Sequence, residues 1–364
     1  MKRPLTLLTA LLLVLAACSG DGTASSTTTE SDGERSSTTE AADTTTTEAE
    51  GEEPAEDLVL YSGRNENFVT PVVEAFTEAT GINVRVRYGD GTSDLATTII
   101  NEGETTDADV FWAQDPAWIG AIGDEGLLST LPDDILSLVP EAYQDGDGQW
   151  VGVTARSRVL VYNPELVSED ELPASVHELV DPEWNGRLGI APTNASFVAF
   201  VSAMELTEGP DATLEWLEGI AANNPQTFSG NGAVVEAVAA GDIDAGLVNH
   251  YYLLQAQAEQ GEVSAANHFF TPGDVGALVM STGAGVMAPS DNQEAALEFI
   301  RYLLSEEAQA HFAEVLYEYA LIDGAPTPEG VPPLADLAGP DINLSDLAAH
   351  LETSVELIAQ AGLS

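Results

Sequence analysis

From Asp57 onward, short apolar runs alternate with amphipathic stretches. LVLY at 58–61 reads as a short buried strand. Phe68, Val72, Val73 and Phe76 then recur at helical spacing up to Gly81, which marks a helix stop. INVRVR at 82–87 alternates apolar and polar as a half-buried strand does, and ADVFWA at 108–113 reads as a fully buried one. A helix carrying Trp118, Ile119 and Ile122 follows. RVLVYN (158–163), RLGIA (187–191) and DAGLV (244–248) predict further strands, and GALVM and GAGVMA are strand-like. Helices are predicted at 195–207, 211–222, 232–240, about 252–260, 291–304, 305–314 and 344–362. There is no internal repeat. Strand, loop and helix repeated this often predict an α/β fold with ligand contacts from loops at the carboxyl ends of strands.

The first 56 residues follow a different pattern. Lys2 and Arg3 precede an apolar stretch, Leu5 to Leu15, that is short for a membrane span. The ending Leu15-Ala16-Ala17-Cys18 resembles a bacterial lipoprotein signal, in which the cysteine becomes the acylated first residue. The expectation is a signal peptide over 1–18, with the mature chain held by a lipid anchor on the outer face of the cytoplasmic membrane. Residues 19–56 are almost wholly Ser, Thr, Glu, Gly and Asp, and read as a disordered acidic tether.

Composition narrows the function classes. Of 364 residues, 61 are acidic and 10 basic, for a formal charge of −51, and there is no lysine after Lys2. A nucleic-acid binder needs clustered Lys/Arg, and a Walker loop needs a lysine, so both are excluded. Hydrophobic content of 44% suffices for a core. Cys18 is the only cysteine, so neither an intrachain disulfide nor a thiolate metal site can form. No HExxH, no GxSxG with a suitable histidine and no GxGxxG in βαβ context occurs, and an enzyme is not expected.

Six passages in order, LYSGRNENF, ADVFWAQD, ARSRVLVYN, PEWNGRLGIAPTNASF, SGNGAVVEAVAAGDIDAGLVNHYYLL and GALVMSTGAGVMAPS, resemble bacterial ferric-ion-binding proteins, the substrate-binding components of iron(III) ABC transporters. The resemblance runs from about Leu58 to the C-terminus. It implies a two-lobed, type II periplasmic-binding-protein-like α/β fold, each lobe a mixed sheet flanked by helices, with the ligand in the cleft. The implied division is 57–155 for lobe 1, 156–279 for lobe 2, 280–328 as a return to lobe 1, and 329–364 as C-terminal helices packing on lobe 2. Crossings are expected near Thr154 to Arg158 and near Val279 to Gly283.

The resemblance implies a site for Fe³⁺ as the transported ligand. Fe³⁺ is hard and prefers oxygen donors, and it can displace a phenol proton as metals do from bound water. Tyr251 and Tyr252 in VNHYY are the implied ligands; irregular backbone at the helix start would bring both hydroxyls inward. Asn65 and Gln114 stand where much of the family has His and Glu, and Phe197 falls where other branches carry a third tyrosine. Glu66 and Asp115, one residue along, are substitute donors; the competing reading is a carboxylate at a helix start. A synergistic anion, carbonate or phosphate, would complete the coordination, held by Asn194, Ala195 and Ser196 at a helix N-terminus, by Asn231, and by Arg64 and Arg156. Plain N-capping competes for Asn194 and Ser196. Arg158 is expected in a salt bridge tying the lobes, and His250 faces away from the site. The implied protein is a monomer serving an ABC-transporter permease. The alternative on the same fold is an organic ligand or oxyanion: a phosphonate, polyamine, thiamine or sugar.

Overall fold

The computed structural model describes residues 57–89 and 91–363; the signal, Cys18 and the tether lie outside them. The first half of the chain folds as β1 (Leu58–Ser62), α1 (Glu66–Thr80), β2 (Val84–Tyr88), α2 (Thr92–Glu102), β3 (Val110–Ala113), α3 (Pro116–Asp124), α4 (Asp133–Leu136) and the long β4 (Val151–Tyr162). There follow β5 (Leu188–Ile190), α5 (Ala195–Glu208), α6 (Pro210–Ala222), β6 (Gln226–Thr227), α7 (Asn231–Ala240), β7 (Ala245–Asn249), α8 (Tyr251–Gln260) and β8 (Ala266–His268). The chain closes with β9 (Val279–Val286), α9 (Gln293–Leu303), α10 (Glu306–Glu314), β10 (Tyr319–Ala320) and α11 (Leu351–Gln360).

The strands run in the order β2-β1-β3-β9-β4-β7-β5-β6, with β8 and β10 also pairing to β4. Two strands hold the halves together. The N-terminal part of β4 pairs antiparallel with β9, which pairs antiparallel with β3. From Arg158 onward β4 pairs instead with β7 and β8. The change of partner falls where β4 and β9 face each other, at Ala155↔Ser281, Arg156↔Met280 and Ser157↔Val279. Parallel pairing of β1 with β2 and β3, and of β5 with β6 and β7, makes the outer part of each half.

Apolar burial explains why these elements stay put. Leu58, Leu60, Val69, Phe76, Trp112, Phe299 and Phe312 form one core around β1 and β3. Val159, Val161, Val234, Val238 and Val248 form another between β4, α7 and β7. The C-terminal segment reaches further than lobe 2 alone: α11 packs on α5 and α6, and the 3-10 turn before it (Leu344–His350) packs on α3 as well as α5. Leu347 and Ile358 thus share a core with Ile119 and Trp216. α3 and the 3-10 turn approach closely at Gly120, where a Cβ would stand 3.3 Å from the Ala348 methyl.

The sequence pattern predicts none of the short elements α4, β6, β8 and β10 and reads 344–362 as one helix where a 3-10 turn precedes α11; three further differences matter more. α2 lies where no element is predicted, although Leu95, Ala96 and Ile99 are buried along one of its faces. β4 begins seven residues before RVLVYN, through the polar stretch around Arg156, whose residues are nonetheless all buried. GALVM and GAGVMA form one strand, β9, preceded by a 3-10 turn at Val275–Ala277.

Candidate functional site

Six strands end at one cavity of about 510 Å³. After β1 come Gly63 and Asn65; after β2, Gly91 to Asp94; after β3, Gln114; after β5, Thr193 to Ala195; after β6, Ser229; after β7, Tyr251 and Tyr252. Loops at carboxyl ends are where an α/β sheet presents ligand groups.

The tyrosine pair occupies the first turn of α8, directly after β7. Neighbours in a strand point to opposite faces, but the helical start swings both rings to one side. The rings stack with centroids 4.3 Å apart at 26°. Tyr251 is fully buried, with its ring edge-on to Phe68 and to His250. Burial, then the neighbouring Tyr252 and Glu318, push its phenol well above its ordinary pKa, while Arg156 pulls the other way. The Gln114 Nε2–H lies 3.5 Å from the Tyr251 hydroxyl.

Beneath the pair the charges are unusual for so acidic a chain. Arg156 and Arg158 are both buried, and neither makes an ion pair among the described residues. Arg156 donates to the Gln114 carbonyl, leaving its Nε and Nη1 without partners. Arg158 donates to Asn249 Oδ1 at 3.1 Å, and burial lowers its pKa to about 9. The expected lobe-tying salt bridge at Arg158 therefore does not form among the described residues. The buried ion pair is Arg64 with Glu318 instead, Nη2 to Oε1 2.6 Å, both side chains fully shielded.

Of the residues singled out in the sequence, Asn65, Gln114, Asn194, Ala195, Tyr251 and Tyr252 line the cavity together. The others do not. Arg64 is committed to Glu318 and lies over the Trp112 ring at 5.0 Å, so it is not positioned as a clamp at the cavity wall. Asp115 is a buried N-cap of α3, accepting from the Trp118 N–H at 3.3 Å; burial raises its pKa to about 6. Glu66 sits exposed in the first turn of α1. Ser196 accepts from Asn249 Nδ2 and Asn231 donates to Asn194 Oδ1, so both support the wall from behind. Arg156 also lies behind it.

The amides carry their own hydrogen bonds. Asn65 Oδ1 accepts from the Asn67 N–H as the α1 cap, and Asn194 Oδ1 accepts from the Ser196 N–H as the α5 cap. His250 is buried with Nδ1 accepting from the Ser157 N–H and Nε2–H donating to the Tyr317 carbonyl. Both nitrogens are thus used, and the ring faces the crossing strand rather than the cavity. Tyr317 holds φ 60°, a left-handed backbone conformation costly for a bulky residue.

Two contributors had no sequence signal. Thr92 Oγ1 donates to the Gly63 carbonyl at 3.0 Å and accepts from the Gln114 N–H at 3.2 Å, tying three strand ends together. Asp94, two residues on, lines the cavity. Both sit on the unexpected α2.

The model for bacterial extracellular solute-binding proteins matches residues 72–336. The chain belongs to this family. It is 36% identical to an Fe(3+)-binding periplasmic protein of Serratia marcescens, over 84% of this chain and 90% of that one. The major ferric iron-binding protein of Neisseria meningitidis serogroup B is 32% identical over 84% and 93% of the two chains. Among solved structures, iron-bound HitA from Pseudomonas aeruginosa superimposes with a TM-score of 0.80 at 34% identity, covering 84% of this chain and 99% of that one. The resemblance carried by the six passages and the type II binding-protein fold it implied both hold for this family member. No described helix is long and apolar enough to cross a membrane.

Proposed function

We propose that this solute-binding protein captures Fe³⁺ through Tyr251 and Tyr252 and delivers it to the permease of an ABC importer. One observation carries the reading: two adjacent phenols, stacked 4.3 Å apart, line one cavity. Two phenolates are hard donors matched to a trivalent ion. Burial holds Tyr251 protonated in the free protein, so the cation itself must displace that proton, and binding releases protons. The first-turn N–H groups and dipole of α8 favour the resulting phenolates. Gln114, an amide 3.5 Å from the Tyr251 oxygen, acts as a donor to that oxygen rather than as a metal ligand.

A small oxyanion, carbonate or phosphate, completes the coordination. The start of α5 at Asn194 and Ala195 supplies its cradle, with Asn231 and Ser196 bracing Asn194 and Asn249. β4 and β9, the strands joining the two halves, serve as the hinge on which the walls close. A lipid anchor at Cys18 keeps the monomer at the outer face of the membrane beside its permease. Loading the purified protein with ferric citrate, followed by gel filtration and metal analysis, tests the reading. One iron per chain is expected, and an iron-free protein carrying an organic mass would point to the organic-ligand alternative.

A further inference from the structure

We propose that the Asp94 carboxylate is the third protein donor to the bound cation, supplied from the wall opposite the tyrosines. The inference rests on the ferric reading and extends it to a residue outside the sequence-derived ligand set. Three observations support it. First, Asp94 is the one carboxylate among the described residues that lines the cavity; Glu66 and Asp115 do not. Second, the Asp94 carboxylate has no other evident employment. Its side chain is exposed in the first turn of α2; among the described residues its backbone carbonyl accepts from Thr98 Oγ1, while the carboxylate meets no donor and no arginine. Third, its position is built. Thr92 pins the start of α2 to the Gly63 carbonyl and the Gln114 N–H, which fixes where Asp94 enters the cavity.

The charge balance gives the proposal its chemistry. Two phenolates neutralise two of the three charges on Fe³⁺, and the amides Asn65 and Gln114 neutralise none. A carboxylate from Asp94 makes the protein donor set −3; with a dinegative oxyanion the bound complex carries −2, which the two guanidiniums buried beneath it, Arg156 and Arg158, balance. Once the walls close on the cation and exclude water, a net charge left there would be expensive. Placement matters equally. The tyrosines come from the β7 half and Asp94 from the β1 half, so the cation bridges the two walls and binding is coupled to closure.

The test compares wild type with Asp94→Asn and Asp94→Glu, by citrate competition followed at the tyrosinate-to-iron absorption band, alongside urea midpoints of the iron-free proteins. Loss of a ligand costs at least what loss of an outer-sphere partner does. Asp94→Asn is therefore expected to weaken ferric binding about a hundredfold, to shift the band maximum, and to leave the iron-free urea midpoint unchanged. Asp94→Glu recovers part of the affinity. Unchanged affinity and an unshifted band in Asp94→Asn would overturn the Asp94 assignment and leave the tyrosine site standing. A wild-type chain with no band would overturn the ferric reading itself, and the Asp94 assignment with it.

Discussion

Arg64 and Glu318 form a fully buried ion pair, Nη2 to Oε1 2.6 Å, across 254 residues of sequence. It joins the loop after β1 to the residue before β10. Glu318 Oε2 also accepts from Thr154 Oγ1 at 2.7 Å, and Thr154 shares a hydrogen bond with Thr282, so both crossing strands are held in one polar knot. Neither residue lines the cavity. Glu318→Gln strands the Arg64 charge and should cost about 3–5 kcal/mol of stability in urea denaturation. The double variant Arg64→Met with Glu318→Leu removes both charges and should cost much less than Glu318→Gln alone.

His250 gives the stability a pH dependence of known sign. Burial lowers its pKa from 6.5 to about 4. The folded state therefore keeps the ring neutral where the unfolded state protonates it. The contribution is complete above pH 6.5 and is lost as pH falls towards about 4. Asp115 opposes it, because its pKa raised to about 6 favours the folded state as pH falls through the same window. The difference between wild type and His250→Gln isolates the histidine. Wild type should lose stability relative to the variant between pH 7 and 4.5, measured by thermal melts of the iron-free proteins.

Gly63 is a packing glycine at the cavity rim. A Cβ there would lie 2.7 Å from the Thr92 Cα, and Thr92 backbone cannot yield without moving the start of α2. Gly63→Ala should cost about 1–3 kcal/mol from overpacking. It should also weaken ferric binding by displacing Asp94, while the tyrosinate band persists. Calorimetric titration of the variant with ferric citrate checks this.

The sequence carries much of the fold because apolar periodicity is a direct record of burial. β1, β3, β7, α1 and α5 to α10 stand close to where the pattern puts them. It fails where burial and polarity part company. Arg156 and Ser157 fall outside the strand read at 158–163, yet they are the centre of β4, because this stretch bonds to His250, Asn249 and Gln114. The site divides along the same line. The tyrosine pair is legible as a local motif. Arg64 is visible in sequence, but its partner Glu318 lies in another part of the chain with no pattern to mark it. Asp94 sits in the polar first turn of α2, ahead of the buried Leu95, Ala96 and Ile99, and no local motif marks it.

The central claim is that Tyr251 and Tyr252 together hold Fe³⁺. A ferric titration at neutral pH with bicarbonate or phosphate present, followed by visible absorbance, tests it most directly. The account predicts an orange-red charge-transfer band that saturates at one iron per chain, weakens in Tyr251→Phe and in Tyr252→Phe, and is lost in the double variant. No band in wild type, or a full band in the double variant, would contradict it.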